Sequence, residues 1–163
     1  RSRWTADSLY LLYVCPYASL SLKPNPATDR ETPQLWEWDV AEAFIGADFE
    51  NIAQYREYQV SPQSEWVDLD IDVVNPKPNG GMGWNSGFEV KARIDAAKKV
   101  WYGEMRIPLQ SIAAKQWRAG DRARLGLFRI TGAAGEQRLV SWQPPFRRNF
   151  HVPEAFGVLE LTQ

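Results

Sequence analysis

Cysteine is all but missing from this chain. Cys15 stands alone, so no internal disulfide can form and the redox compartment stays open. It sits in the apolar run LYLLYVC and reads as a small buried hydrophobe. Histidine is equally scarce: His151 is the only one, and neither G-x-S-x-G nor H-E-x-x-H occurs. An enzyme would therefore have to work with scattered carboxylates, namely Asp39, Glu42, Glu57 and the row Asp68, Asp70 and Asp72. An excess of charge of one sign is absent too. With 19 basic and 20 acidic residues the formal net charge is -1, which gives no overall attraction to nucleic acid or to an anionic membrane. No apolar run approaches membrane-spanning length and no signal peptide is visible. The chain opens on Arg1 and not on Met, which reads as a processed product or a fragment whose export signal went with the missing start.

What the chain has in abundance is tryptophan, eight in 163 residues, more than a core alone calls for. The length suits one domain over residues 1–163 with a substantial core. The stretch 35–45, LWEWDVAEAFI, organises the rest. Read as one extended strand, it puts Trp36, Trp38, Val40, Glu42 and Phe44 on one face and Ala41, Ala43 and Ile45 on the other. Two indoles and a carboxylate in one row are what binds a pyranose, because the indole covers the apolar C–H face while the carboxylate accepts from the hydroxyls. The competing reading is that the row is core, with Glu42 paired to a basic residue such as Arg56.

Along the chain, 9–15 is a short run apolar on both faces and suits a central strand. The proline-bearing segment 19–33 reads as a surface loop. In 54–60, QYREYQV, Arg56, Tyr58 and Val60 share a face. The cleanest alternation is WVDLDIDV, 66–73, with an apolar face and an acidic one that reads as a solvated or charged edge. The segment 75–87 is a Pro/Gly-rich connection carrying Trp84 as an anchor or a contact residue. Residues 88–94 and 100–107 read as a hairpin in which Trp101 and Met105 are core, and LQSIAAKQW, 109–117, as one short helix. Strands follow at 122–131, 138–142 and 156–161, with a turn over GAAGEQ, 132–137, and the loop QPPFRRNFHVPEA, which offers Phe146, Arg147, Arg148, Asn149 and His151 to a ligand. About nine strands with at most one short helix predict an all-β fold, an antiparallel β-sandwich of jelly-roll type.

The runs LWEWDVAEAF, YREYQVSP, YGEMRIPLQSI, GDRARLGLFRI and VSWQPPFRRNFHVPEAFGVLEL, in that order, resemble the family 9 carbohydrate-binding modules and their DOMON-like relatives. The resemblance spans nearly the whole chain from Leu9, and because the family has a strand or more before that point, it implies a chain shortened at its start. It implies an antiparallel sandwich with structural calcium and no other cofactor, and a terminal sugar held between two tryptophans while a glutamate and arginines bond its hydroxyls. Carried over residue by residue, the match gives Trp36, Glu42, Arg56, Arg129 and Trp142, with Asn149 added for its proximity to Trp142. No clean counterpart of the family's other amide side chains is found, which leaves the choice of sugar open.

The resemblance thus implies a non-catalytic module for mono-, oligo- or polysaccharides, extracellular or periplasmic, fused to or associated with a polysaccharide-active enzyme. Two other classes stand beside it. A haem-binding DOMON relative would use Met82, Met105 or His151 as axial ligands, and a glycoside-acting enzyme would use a carboxylate pair.

Overall fold

A computed structural model describes residues 1–132 and 135–163. The turn expected over 132–137 includes Ala133 and Ala134, which lie outside the described residues. Among the described residues ten strands form two sheets: β1 Ser2–Trp4, β2 Ser8–Pro16, β3 Val40–Gly46, β4 Gln54–Val60, β5 Trp66–Asp72, β6 Glu89–Asp95, β7 Val100–Pro108, β8 Arg122–Thr131, β9 Arg138–Ser141 and β10 Gly157–Glu160. One sheet has the order β1-β2-β7-β6. The other runs β10-β8-β3-β4-β5, and β9 pairs with the far half of β8 along the edge that β10 uses. Every pairing is antiparallel, and the chain crosses between sheets after β2, β5 and β7. This is the expected sandwich, with one strand, β1, that the sequence did not announce.

Two cores follow from the period of two along β3. Ala41, Ala43 and Ile45 face the opposite sheet and pack with Leu9, Leu11, Trp101 and Met105. Val40 and Phe44 face outward and join Leu35, Tyr55, Phe128 and Phe150 in a second apolar cluster. β3 is thus buried on both faces, which is unusual for the outer face of a two-sheet sandwich and requires a cover. The C-terminal loop supplies it: Phe150 stacks on Phe128 at 4.3 Å between ring centroids. Trp101 and Met105 are core, and Cys15 is buried.

Some sequence expectations are corrected. The stretch 35–45 is not one strand. Leu35–Glu37 is a 3-10 turn after Gln34, which takes a left-handed φ of 57°, and Leu35 is driven wholly into the outer core, which bends the chain before Val40. β2 is not covered on both sides, since Tyr10 and Val14 are exposed on its outer face. The acidic face of β5 is not solvated. Loop 75–87 folds over it, so that Asp68 is fully buried and Asp70 pairs with Arg56 and Lys77. Gly81, at a φ of 92°, lies so close to the Asp70 backbone that a Cβ there would collide with it. The helix is a single turn, α1 Leu109–Ile112; Trp117, expected at its end, instead donates its indole N–H to the Leu109 carbonyl at 3.0 Å.

Candidate functional site

A cavity of about 700 Å³ opens on the outer face of the larger sheet. Its floor is set by the β3–β4 ladder, in which Glu42 stands opposite Gln59 and Phe44 opposite Glu57, so that all four share the outward face. Trp36 forms a wall from the 3-10 turn, and Gln137, Arg148, Asn149 and His151 line the side next to β9 and the C-terminal loop.

Each wall has a local cause. The Trp36 turn is tied at both ends: Gln137 donates its amide to the Trp36 carbonyl at 2.9 Å, and the Asp39 carboxylate, fully buried, accepts from the backbone N–H of Ser21 at 2.9 Å and of Gly132 at 3.0 Å. That clamp fixes the proline-bearing loop and the end of β8 to the start of β3. His151 is exposed along one side, yet its Nδ1 shares a hydrogen with the Tyr55 hydroxyl at 2.6 Å and its ring lies 5.2 Å from that of Phe44. Burial lowers its pKa, so the neutral imidazole is favoured.

The electrostatics of the floor are set by Glu42 and Glu57, each 2% exposed. Among the described residues neither has an ion pair. The Gln59 amide donates to one oxygen of Glu57, and the other oxygen of Glu57 and the Gln59 carbonyl oxygen are buried without a partner. Burial first, and then the charge of Glu57, push the Glu42 carboxyl well above its ordinary range; burial pushes Glu57 up to about 7.

The expected site residues divide. Trp36, Glu42 and Asn149 come together around the cavity. Arg56, Arg129 and Trp142 do not. Arg56 stands opposite Ile45 and so faces inward; it pairs with Asp70, donates to the Ser111 carbonyl at 3.3 Å and stacks 4.7 Å from the Trp84 ring, which makes Trp84 an anchor. It cannot be the counter-ion of Glu42. Arg129 stands opposite Ala41 and donates to the Pro16 carbonyl at 2.6 Å. Trp142, half exposed, lies over Gly157, where a Cβ would come within 2.7 Å of the indole, on the face away from the cavity. Trp36 and Trp142 therefore do not flank one ligand in this structure.

The sequence reading missed Glu57 and Gln59 as partners of Glu42, although the alternation of QYREYQV carried the signal: the face opposite Arg56 and Tyr58 holds Tyr55, Glu57 and Gln59. Of the haem candidates, Met105 is buried between the sheets while His151 lies on the outer face of the larger sheet, so these two cannot flank one iron. Among the described residues no three acidic, histidine or cysteine side chains converge as metal ligands. One pair of neighbouring carboxyls outside the cavity is Asp68, with one buried oxygen unpartnered, and Glu31 beside it, whose carboxyl is pushed up to about 7 by burial and by Asp68.

Comparison with known proteins bears on this arrangement. The model of the carbohydrate family 9 binding domain-like family matches residues 1–163. A protein of Arthroderma benhamiae named "Extracellular protein" is 25% identical over 136 residues, which cover 75% of this chain and 60% of that protein. Two solved structures share the fold at 16% identity. One, from Bacteroides uniformis and named for an inferred carbohydrate-binding role, superposes with a TM-score of 0.78 over 99% of this chain and 76% of its own. The other, a family 9 carbohydrate-binding module of Caldicellulosiruptor kristjanssonii in complex with glucose, gives 0.66 over 99% and 74%.

Proposed function

Because the chain belongs to the carbohydrate family 9 binding domain-like family, we propose that it binds a sugar ring, without catalysis, in the cavity between Trp36 and the β3–β4 floor. The observation that carries this reading is that an indole and a buried carboxyl without a counter-ion among the described residues, Trp36 and Glu42, line the same cavity. The indole covers an apolar C–H face and the carboxylates accept from hydroxyls, with Asn149, Gln137 and Arg148 at the rim to choose among them. Stacking is from one side only, since Trp142 lies on the other face. The glucose bound to the Caldicellulosiruptor module supports a hexose as the ligand class, and the Arthroderma relative's name supports an extracellular setting. In that setting the module would hold a polysaccharide-active protein on its substrate.

A glycan array followed by calorimetry tests this. Wild type is expected to bind hexose-containing glycans, and Trp36→Ala and Glu42→Gln to lose that binding while staying folded. No reducing sugar should be released from any bound polysaccharide; release abolished by Glu42→Gln would replace the binding module with a glycoside-acting enzyme using Glu42 and Glu57.

A further inference from the structure

With both of its carboxyls ionised, the cavity floor is rich in acceptors and short of donors. Glu42 and Glu57 line it almost completely buried, and Gln59 is fully buried beside them. Among the described residues two buried acceptors await a partner, the second oxygen of Glu57 and the Gln59 carbonyl oxygen, and the Glu42 carboxyl, 2% exposed, lines the same cavity. Of the nearby donors, Lys77 is held by Asp70, the Tyr55 hydroxyl by His151 and the Gln137 amide by the Trp36 carbonyl, while Arg148 and Asn149 stand on the exposed rim, away from the buried floor. Two carboxylates buried together repel, so both are costly to ionise, and the Gln59 amide is the one donor aimed at either among the described residues. A neutral hexose answers half of this deficit, because each hydroxyl brings one donor and no charge. A uronic acid worsens it by adding a carboxylate. An ammonium group answers both halves, with three donors and a positive charge on one atom.

We propose that the cavity selects a glycan unit with a free protonated amine, a 2-amino-2-deoxyhexose, seated with its ammonium group between Glu42 and Glu57. The proposal rests on the reading of this cavity as the sugar site and names the class of sugar it takes. It also gives Glu57, outside the residues carried over from the family, the role of fixing specificity.

Calorimetry near neutral pH with glucosamine, galactosamine, their N-acetyl forms, glucose, galactose and glucuronic acid decides it. At least one amino sugar should bind about tenfold or more tighter than its neutral counterpart, the advantage expected of hydrogen bonds to a charged group. N-acetylation should abolish that preference, and glucuronic acid should bind weakest. Glu57→Gln should shrink the preference, with Glu42→Gln as the second variant; the wild-type series stands whether or not either variant folds. Equal affinity for amino and neutral sugars overturns the selectivity and leaves the sugar site intact. Failure of wild type to bind any of these sugars overturns both.

Discussion

At the scale of single residues, burial separates the tryptophans by role. Trp101 is fully buried, and Trp101→Ala should cost about 3–5 kcal/mol and lower the Tm steeply. Trp36 is only partly buried against the outer core, so Trp36→Ala should cost far less stability and all of the sugar binding. Trp142→Ala, on the far side of the sheet, should leave binding unchanged; loss of binding there would return Trp142 to the site. The Glu42–Glu57 pair makes a second prediction, whose sign follows from proton linkage. Folded-state pKa values raised above the unfolded ones mean that the native protein holds protons the unfolded chain releases, so the stability from this pair is full below the unfolded pKa, and the Glu57 part is lost as pH rises through about 7. His151 acts oppositely: its lowered pKa makes the native state gain stability as pH rises through the unfolded imidazole range. Comparing wild type with Glu57→Gln cancels the His151 part. From about pH 5 to about pH 8 the wild-type Tm should fall relative to that of the variant, and parallel melting curves would remove the pair from the pH balance.

At the scale of elements, the site depends on how the 3-10 turn is fastened to β3. Asp39 accepts two backbone N–H groups from segments far apart in sequence, Ser21 and Gly132. Asp39→Ala leaves both donors without an acceptor and should cost about 2–3 kcal/mol in chemical denaturation. Because Asp39 fixes the end of the turn that presents Trp36, sugar affinity should fall with it. Stability lost with affinity unchanged would mean that the turn holds its shape without the clamp. The alternation in β4 and β8 was legible in the sequence, since each strand lies within a residue of its expected position. The sequence did not reveal which of the two faces looks outward. Arg56 and Arg129 stand on strands that border β3 and still point away from the cavity, because their cross-strand partners are the inward residues Ile45 and Ala41.

At the scale of the whole molecule, the larger sheet is covered on both faces, by the other sheet and by the loops that form the cavity, and its edge strand β5 is sealed by loop 75–87. We propose Asp68 and Glu31 as the carboxylates that would hold the calcium the family resemblance implies; a shell of six to eight oxygens would need further ligands beside them. A cation bound only by the native state raises its stability. Calcium should therefore raise the Tm of wild type and thorough chelation lower it, with no such response in Asp68→Asn; an unchanged wild-type Tm would remove the site.

The sequence by itself determined the sandwich, the start of the one short helix at Leu109, the core positions of Trp101 and Met105, and the presence of Trp36 and Glu42 in one region, because alternation and turn residues are local properties of the chain. Tertiary structure decided the composition of the site. Glu57 reaches Glu42 through strand register, Asn149 and His151 arrive on a loop about a hundred residues away, and Leu35, by filling the outer core, turns Trp36 from a strand residue into a wall. Register and loop docking are set by which buried surfaces fit together, and a pattern of period two cannot say which of its two faces will be covered.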